Sequence, residues 1–334
     1  MSATINLEKK HFPVLLNELI SILSPLYGGT FIDCTFGQGG YSERILNNKF
    51  NYIVATDRDA DTSKYVKKIK TRYGKRFTFI NSKFSDIHNL GIEIKNLKGV
   101  VFDLGYSINQ IKDLSRGISF NSSGKLDMRM GINKISADEV INKMEYQSLN
   151  KIFKYLGDEK FSKSISKLII KKRKIHKLET QDLVKIIDKV KKKTKKKINN
   201  STKVFQSLRI FVNDEISELI YGLINSFKIL PVGGVIVVIS FHSLEDKIVK
   251  YFFKHYSEQK NLSRYLPENI KKKNLFKLIN KKPITPSLSE IKKNPPSRSA
   301  KLRFAFKTNH SDNFKDFINK FQFYLNIEKL KGQI

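Results

Sequence analysis

One cysteine, Cys34, is all the thiol this chain has. A lone cysteine excludes an intramolecular disulfide and every Cys-rich metal site, and it suits a reducing compartment. Long apolar runs are missing as well. The run Val235 to Ile239 is far too short to span a bilayer, and the opening MSATINLEKKHFP has no apolar core of signal-peptide length. These absences predict a soluble, cytoplasmic protein with no membrane segment. Acidic residues are scarce, 31 against 63 Lys and Arg, which leaves a formal charge of +32. Such a field attracts polyanions, nucleic acid first among them. A composition rich in Lys, Ile and Asn also arises in an AT-biased genome, so charge alone points to RNA only weakly.

What is present is enough for a full-sized domain and a smaller one: 334 residues, with 40% hydrophobic and 11% aromatic content, read as globular and not disordered. In the first half β-like runs alternate with helix-like ones. The runs are Thr30 to Thr35, Tyr52 to Asp57, Phe77 to Asn81 and Gly99 to Leu104. That alternation predicts a parallel sheet of βα units. It stops at about Gln110. From there to Ser201 the apolar residues recur at three- and four-residue spacing, as in TQDLVKIIDKVKKK, which predicts helices. One long helical pattern, Ser201 to Phe227, follows; a Gly-Gly pair then releases VIVVISF, Val235 to Phe241, and KLRFAFK, Lys301 to Lys307, alternates like a last strand. The stretch from Ser257 to Pro296 reads as loop-rich. The expected fold is α/β and doubly wound. Residues 1–109 and 205–334 form one discontinuous domain, and residues 110–204 form a helical insertion between the fourth and fifth strands.

The segment DCTFGQGGYSERIL places Asp33 at a strand end, then Gly37, Gly39 and Gly40, then a helix. Glycines let a backbone turn sharply against a ligand at the carboxyl edge of such a sheet. Asp57 ends the next strand, where a carboxylate would accept the two ribose hydroxyls of an adenosine moiety. Ser42 stands where a dinucleotide fingerprint needs Gly or Ala, which favours a cofactor without a pyrophosphate. A P-loop is excluded by SFNSSGKL, with Ser119 in place of the first Gly and Leu126 in place of the magnesium-binding Ser or Thr.

In order along the chain, HFPVLLNE, DCTFGQGGYS, ATDRDADT, FDLGYSINQ, RGISFNSSGKLDMRM, FQSLRIFVNDE, SFHSLEDKIVK and NPPSRSAKLR resemble the signature of the bacterial 16S ribosomal RNA cytosine-N4 methyltransferases. The match runs from about His11 to Arg303. It implies a Rossmann-like class I methyltransferase domain with an inserted all-helical domain for substrate recognition, S-adenosyl-L-methionine as cofactor, and 16S rRNA, within the small ribosomal subunit, as partner. Carried over by position, Gly39, Gly40 and Tyr41 would line the methionine and ribose region, Asp57 would hold the ribose, Phe84 would flank the adenine, and Asp103 and Gln110 would close the site. The chain departs from the family pattern at Tyr41, where His is common, and at Tyr106, Ile108 and Asn109, where VSSPQ or VSSMQ is usual. Ser123 and Lys125 replace the Asp and Pro of DGPLDMRM, and Pro296 replaces an Arg.

Elimination narrows the chemistry. Methylation at a pyrimidine C5 needs a nucleophile, normally Cys, and Cys34 lies in the cofactor turn. Zinc-dependent deamination needs a ligand set that one cysteine cannot supply. Direct transfer to an exocyclic amine remains, with Asp103 as the acceptor nearest the chemistry and Ser107 as a second candidate. His242, Glu245 and Asp246 read as a helix start capped by Ser243, and no metal is expected. Lys191 to Lys197 read as a solvated face, whereas Arg129, Arg298 and Arg303 suit bidentate phosphate contact. The alternatives are a non-catalytic RNA-binding or ribosome-assembly factor and a methyltransferase for another base.

Overall fold

The computed structural model describes residues 13–334 apart from 92, 107–109, 112, 123, 132, 192–198, 258–273 and 311–312. His11, Ser107, Ile108, Asn109, Ser123 and all of KKKTKKK beyond Lys191 lie outside the described residues.

Seven strands form one sheet in the order β3-β2-β1-β4-β5-β7-β6. They are β1 (Thr30–Asp33), β2 (Tyr52–Asp57), β3 (Phe77–Asn81), β4 (Leu97–Asp103), β5 (Val235–Ser240), β6 (Phe276–Lys277) and β7 (Lys301–Lys307). β1 to β5 run parallel, while β7 lies antiparallel between β5 and β6. All six residues of β5 are buried, as the unbroken apolar run VIVVIS requires of a strand covered on both faces. The chain order reverses between β1 and β4, so the crevice where such sheets bind ligands opens above Asp33 and Asp103.

The period of two along each strand separates two cores. Phe31, Ile53, Val101 and Val237 pack with helices α1 (Leu16–Leu23), α2 (Gly40–Leu46) and α3 (Ser63–Tyr73) on one face. Ile32, Val54, Phe102 and Val238 face the other way, into a larger cluster that continues through the helices between β4 and β5. Those are α4 (Ala137–Lys143), α5 (Tyr146–Lys151), α6 (Ser162–Arg173), α7 (Thr180–Val190), α8 (Thr202–Val212) and α9 (Glu215–Ile229). No strand occurs among the described residues from 110 to 201. Helix α7 shows why: Leu183, Ile186 and Ile187 recur on one buried face, and Glu179 with Asp182 forms a capping box at its start. Each buried Leu or Ile contributes about 1.5–3 kcal/mol through lost apolar exposure. After β5 come α10 (Ser243–His255), α11 (Leu288–Lys293) and α12 (Lys315–Glu328).

The long helical pattern from Ser201 to Phe227 is in fact two helices, α8 and α9. Asp214 takes a left-handed φ of 52°. The break is held by the buried side chain of Asn213, whose Nδ2 donates to Met128 O and Arg209 O while Oδ1 accepts from Met130 N. Apolar periodicity continues across the break, which hides it from a pattern reading. The new start of α9 is covered from α12, where Glu328 accepts the N–H groups of Ile216 and Ser217 at 2.9 Å each.

Candidate active site

Parallel strands bring polar residues to one edge: Asp33 ends β1, Asp57 ends β2, Asn81 ends β3 and Asp103 ends β4. Asp33 is fully buried. Ser42 Oγ donates to its Oδ2 at 2.6 Å and Thr35 N to its Oδ1 at 3.3 Å. Ser42 therefore has a definite task at the position where a dinucleotide loop carries Gly or Ala. Thr35 Oγ1 in turn accepts the backbone N–H of Asp103 at 2.7 Å, tying β1 to β4 across the switch point. Ser42 and Thr35 as side chains that fix the two acids were not singled out from the sequence.

Asp103 has one side-chain oxygen, Oδ1, that is buried with no hydrogen-bond partner. Burial, the facing charge of Asp33 and the more distant Glu245 push its pKa up to about 8, against the pull of the Tyr41 hydroxyl. Burial pushes Asp33 up to about 6, although Ser42 and Thr35 oppose the shift. Tyr41 itself is buried and donates its single hydroxyl proton to Val14 O at 2.6 Å. Gly39 opens α2 with φ 79°, and a Cβ there would lie 2.3 Å from Ile69 Cδ1, so close packing as well as backbone conformation requires glycine. At Gly40 a Cβ would meet Pro13 Cγ at 2.3 Å.

Asp57 is held by the loops on either side: Gly37 N donates to Oδ2 and Asp59 N to Oδ1, both at 2.8 Å. Each oxygen keeps a lone pair for a hydroxyl. Phe84 opens the turn after β3 partly buried, its ring edge-on to Phe102 at 5.4 Å and close to Gly222 of α9, so it serves the core and presents only part of its surface. Gln110 donates to Asp59 Oδ2 at 2.5 Å, which places it at the loop after β2.

Beyond β4 the ring of Tyr106 is 43% exposed, and its other side lies 4.6 Å from the guanidinium of Arg209. Arg209 is buried and forked on Glu215 through Nε and Nη2, both at 2.8 Å. The sequence reading missed both Arg209 and Glu215, because nothing in FQSLRIFVNDE marks them as reaching the edge of β4. Two expectations are corrected. His242, not Ser243, caps α10, its ring Nδ1 accepting Glu245 N–H while Glu245 receives the N–H of His242. Arg303 is engaged within the protein, its Nε on Asp246 Oδ1 at 2.7 Å with the side chain 11% exposed, so it offers no open fork to a phosphate. Arg129 chelates Asp127 from a half-exposed position, and Arg298 is exposed.

The sequence profile of the MraW methylase family matches residues 8–308. The chain belongs to the MraW methylase family. The ribosomal RNA small subunit methyltransferase H of Rickettsia prowazekii (strain Madrid E) is 41% identical over 301 residues, which cover 89% of this chain and 98% of that one. Its namesake from Rickettsia bellii (strain OSU 85-389) is 42% identical over 305 residues, covering 90% and 100%. Among solved structures, an rRNA methylase from Streptococcus thermophilus is similar at 10% identity and a TM-score of 0.37, over 90% of this chain and 99% of that one. Membership makes this chain a methyltransferase, and its strand order makes it one of the Rossmann-like α/β kind. No helix among the described residues is long and apolar enough to cross a membrane.

Proposed function

We propose that the protein, acting in the cytoplasm, methylates the N4 exocyclic amine of a cytosine in 16S rRNA of the small ribosomal subunit, with S-adenosyl-L-methionine as donor. The observation that carries this reading is Asp103: a buried carboxyl with one unpaired oxygen at the switch point of a methylase-family sheet. An amine needs an acceptor of that kind, and no thiol stands there.

The residues present fit a cationic cofactor. Asp33 is a buried carboxyl and Asp103 turns a buried oxygen toward the same site, and among the described residues no Lys or Arg pairs with either, so the positive charge of a sulfonium and an α-amine would relieve their mutual repulsion. Gly39, Gly40 and Tyr41 would line its methionine and ribose region, Asp57 would take the ribose hydroxyls, Phe84 would flank the adenine, and Gln110 with Asp103 would close the site. When bound, the cofactor supplies an electrophilic methyl group, which the amine lone pair takes as the carbon–sulfur bond breaks and sulfur keeps its electrons. Asp103 accepts an N4–H, aligns the lone pair and receives the proton that the methylated amine sheds. Positioning is the main contribution, since aligned reactants remove about 7–11 kcal/mol of barrier in favourable cases. Tyr106 supplies an exposed aromatic face three residues after Asp103, on which an extruded base can stack. The helices of residues 110–204 serve substrate recognition, and residues 1–109 with 205–334 carry the chemistry.

The test is transfer of labelled methyl from S-adenosyl-L-methionine to purified small subunits lacking the modification, followed by nucleoside mass spectrometry. Label in N4-methylcytidine or its 2′-O-methyl derivative is expected. Cofactor binding without transfer would mean a non-catalytic assembly factor, and label on another base would displace the cytosine assignment.

A further inference from the structure

A second unpaired polar atom stands at the carboxyl end of β5. His242 follows that strand, and its Nδ1 accepts the N–H of Glu245 at 3.3 Å. A ring nitrogen that accepts an N–H carries no proton, so the imidazole proton sits on Nε2. The side chain is only 8% exposed, and Nε2 has no hydrogen-bond partner. Glu245 Oε1 lies 3.0 Å from Nε2 as an ion-pair contact that makes no hydrogen bond, while Oε2 accepts the N–H groups of Phe241 and His242. A buried donor left without an acceptor is costly, a cost that a binding site has reason to carry.

The strand register brings His242 and Asp103 to the same edge of the sheet, at the ends of neighbouring strands. Asp103 lies opposite Ile239, three residues before His242, and Leu104 N donates to Ile239 O at 2.9 Å. A Cβ on Gly105 would be 3.6 Å from the ring of Phe241. Adjacent strands therefore end in an acceptor, Asp103 Oδ1, and a donor, His242 Nε2, that make no hydrogen bond in the unliganded fold.

We infer that Asp103 and His242 together read the Watson–Crick edge of the target base, Asp103 Oδ1 accepting from N4–H and His242 Nε2–H donating to N3. This rests on the cytosine reading above and adds how the base is chosen. Cytosine offers a donor beside an acceptor; uracil offers O4 beside N3–H, so both contacts would set like against like. A site built to hydrogen-bond a group rejects an analogue that cannot reciprocate far better than an apolar pocket does. The pair separates amino from oxo bases and leaves the choice between pyrimidine and purine to the size of the pocket. It is a binding device more than an accelerating one, because N4 withdraws its lone pair from the ring as it attacks, and N3 gains nothing from a donor at that moment.

A cation site is the competing use of the same group. Glu215, His242 and Glu245 bring ligand atoms within 4.8 Å of one another. Two contacts oppose it. Ligation through Nε2 would move the ring proton to Nδ1, directly against the Glu245 N–H, and Glu215 is already forked by Arg209.

His242→Ser keeps an oxygen to cap α10 and removes the Nε2 donor, while His242→Gln offers both a capping oxygen and an amide donor. With unmodified small subunits as substrate, His242→Ser should raise KM for the subunit about tenfold and leave kcat within about threefold. Its affinity for S-adenosyl-L-methionine should match wild type, and His242→Gln should recover most of the loss. An unchanged subunit KM in a folded His242→Ser protein, or a parallel loss of cofactor affinity, would overturn the inference. A measurement on wild-type protein stands apart from any folding defect. Loaded with S-adenosylhomocysteine, it should bind cytidine about tenfold more tightly than 3-deazacytidine, which lacks the N3 acceptor; equal binding would overturn the contact. If wild-type protein puts no label on cytosine N4, the proposed function fails first, and visibly so, before any variant is compared.

Discussion

Arg116 lays two nitrogens on the carboxylate of Asp59, Nη1 on Oδ2 at 2.6 Å and Nη2 on Oδ1 at 3.2 Å. The same guanidinium reaches Asp61 and Asp113. Asp59 N–H in turn fixes one oxygen of Asp57, so the segment after β4 sets the carboxylate at the end of β2. Arg116 therefore positions the carboxylate to which the proposed function assigns the cofactor ribose. Arg116→Met should weaken S-adenosyl-L-methionine binding about tenfold, or about 1.4 kcal/mol, in a calorimetric titration. Because the two side chains act through one contact, adding Asp59→Asn to Arg116→Met should cost little more. Full additivity of the two losses would show that they act separately.

Asp57 has a structural task beside the ribose contact proposed for it, because its carboxylate receives Gly37 N and Asp59 N. Asp57→Ala should abolish measurable cofactor binding and also lower stability, by about 1–3 kcal/mol, since those N–H groups lose their acceptor. Asp57→Asn keeps one acceptor oxygen and should fall between. Urea unfolding of the unliganded proteins separates the two effects: a cofactor defect with wild-type stability would mean that the loop holds itself without the carboxylate.

The sheet was legible because each strand is bounded by its own chemistry. β3 and β7 fall where the residue pattern puts them, Phe77–Asn81 and Lys301–Lys307, and the run of helices between β4 and β5 shows in the change from period two to period 3.6. Local pattern does not show which side chains from distant segments converge. Arg209 and Glu215 arrive at Tyr106 from a helix more than a hundred residues on, and Asn213 breaks a helix through bonds to Met128 and Met130 that no periodicity records. Gly131 is a case where the physical reason appears only in three dimensions: a Cβ there would lie 1.9 Å from the carbonyl oxygen of Arg58, so LDMRMG can press against the loop after β2 only with glycine at its end. Arg303 carried the opposite error. In sequence it suits bidentate phosphate contact, and in the fold Asp246 has claimed it.

Tyr106 stands where the VSSPQ or VSSMQ pattern that this loop resembles begins with Val, and its ring is exposed on one side and backed by Arg209 on the other. Base–aromatic stacking is worth about 1–3 kcal/mol per base. Tyr106→Ala should raise the subunit KM about tenfold or more at unchanged cofactor affinity, and Tyr106→Phe should be close to wild type because stacking uses the ring. If the ring serves only to cover Arg209, Tyr106→Ala will lower the melting temperature and leave KM where it was.

The two buried acids give stability and activity opposite dependences on pH. Asp103 and Asp33 have pKa values raised in the folded protein, to about 8 and about 6, from an ordinary 3.8. The folded state therefore holds protons that the unfolded chain has released, and stability falls as pH rises. The loss begins above the unfolded value; it continues through about 6 for Asp33 and through about 8 for Asp103. Glu328, raised to about 7, titrates in the same window, so wild-type melting alone cannot assign the slope. The difference between wild type and Asp103→Asn can: the variant should be relatively more stable at the alkaline end and lose that advantage under acid conditions. Bound S-adenosyl-L-methionine should flatten the wild-type slope, because its positive charge favours the ionised carboxylate. Activity should run the other way. If the amine uses Asp103 as its acceptor, kcat/KM for S-adenosyl-L-methionine should climb with pH toward an apparent pKa of about 8, the value of the free enzyme. Asp103→Asn should be slow at every pH and show no such rise; a wild-type profile flat from acid to alkaline pH would mean that a neutral Asp103 serves equally well, and that the carboxylate is not the acceptor.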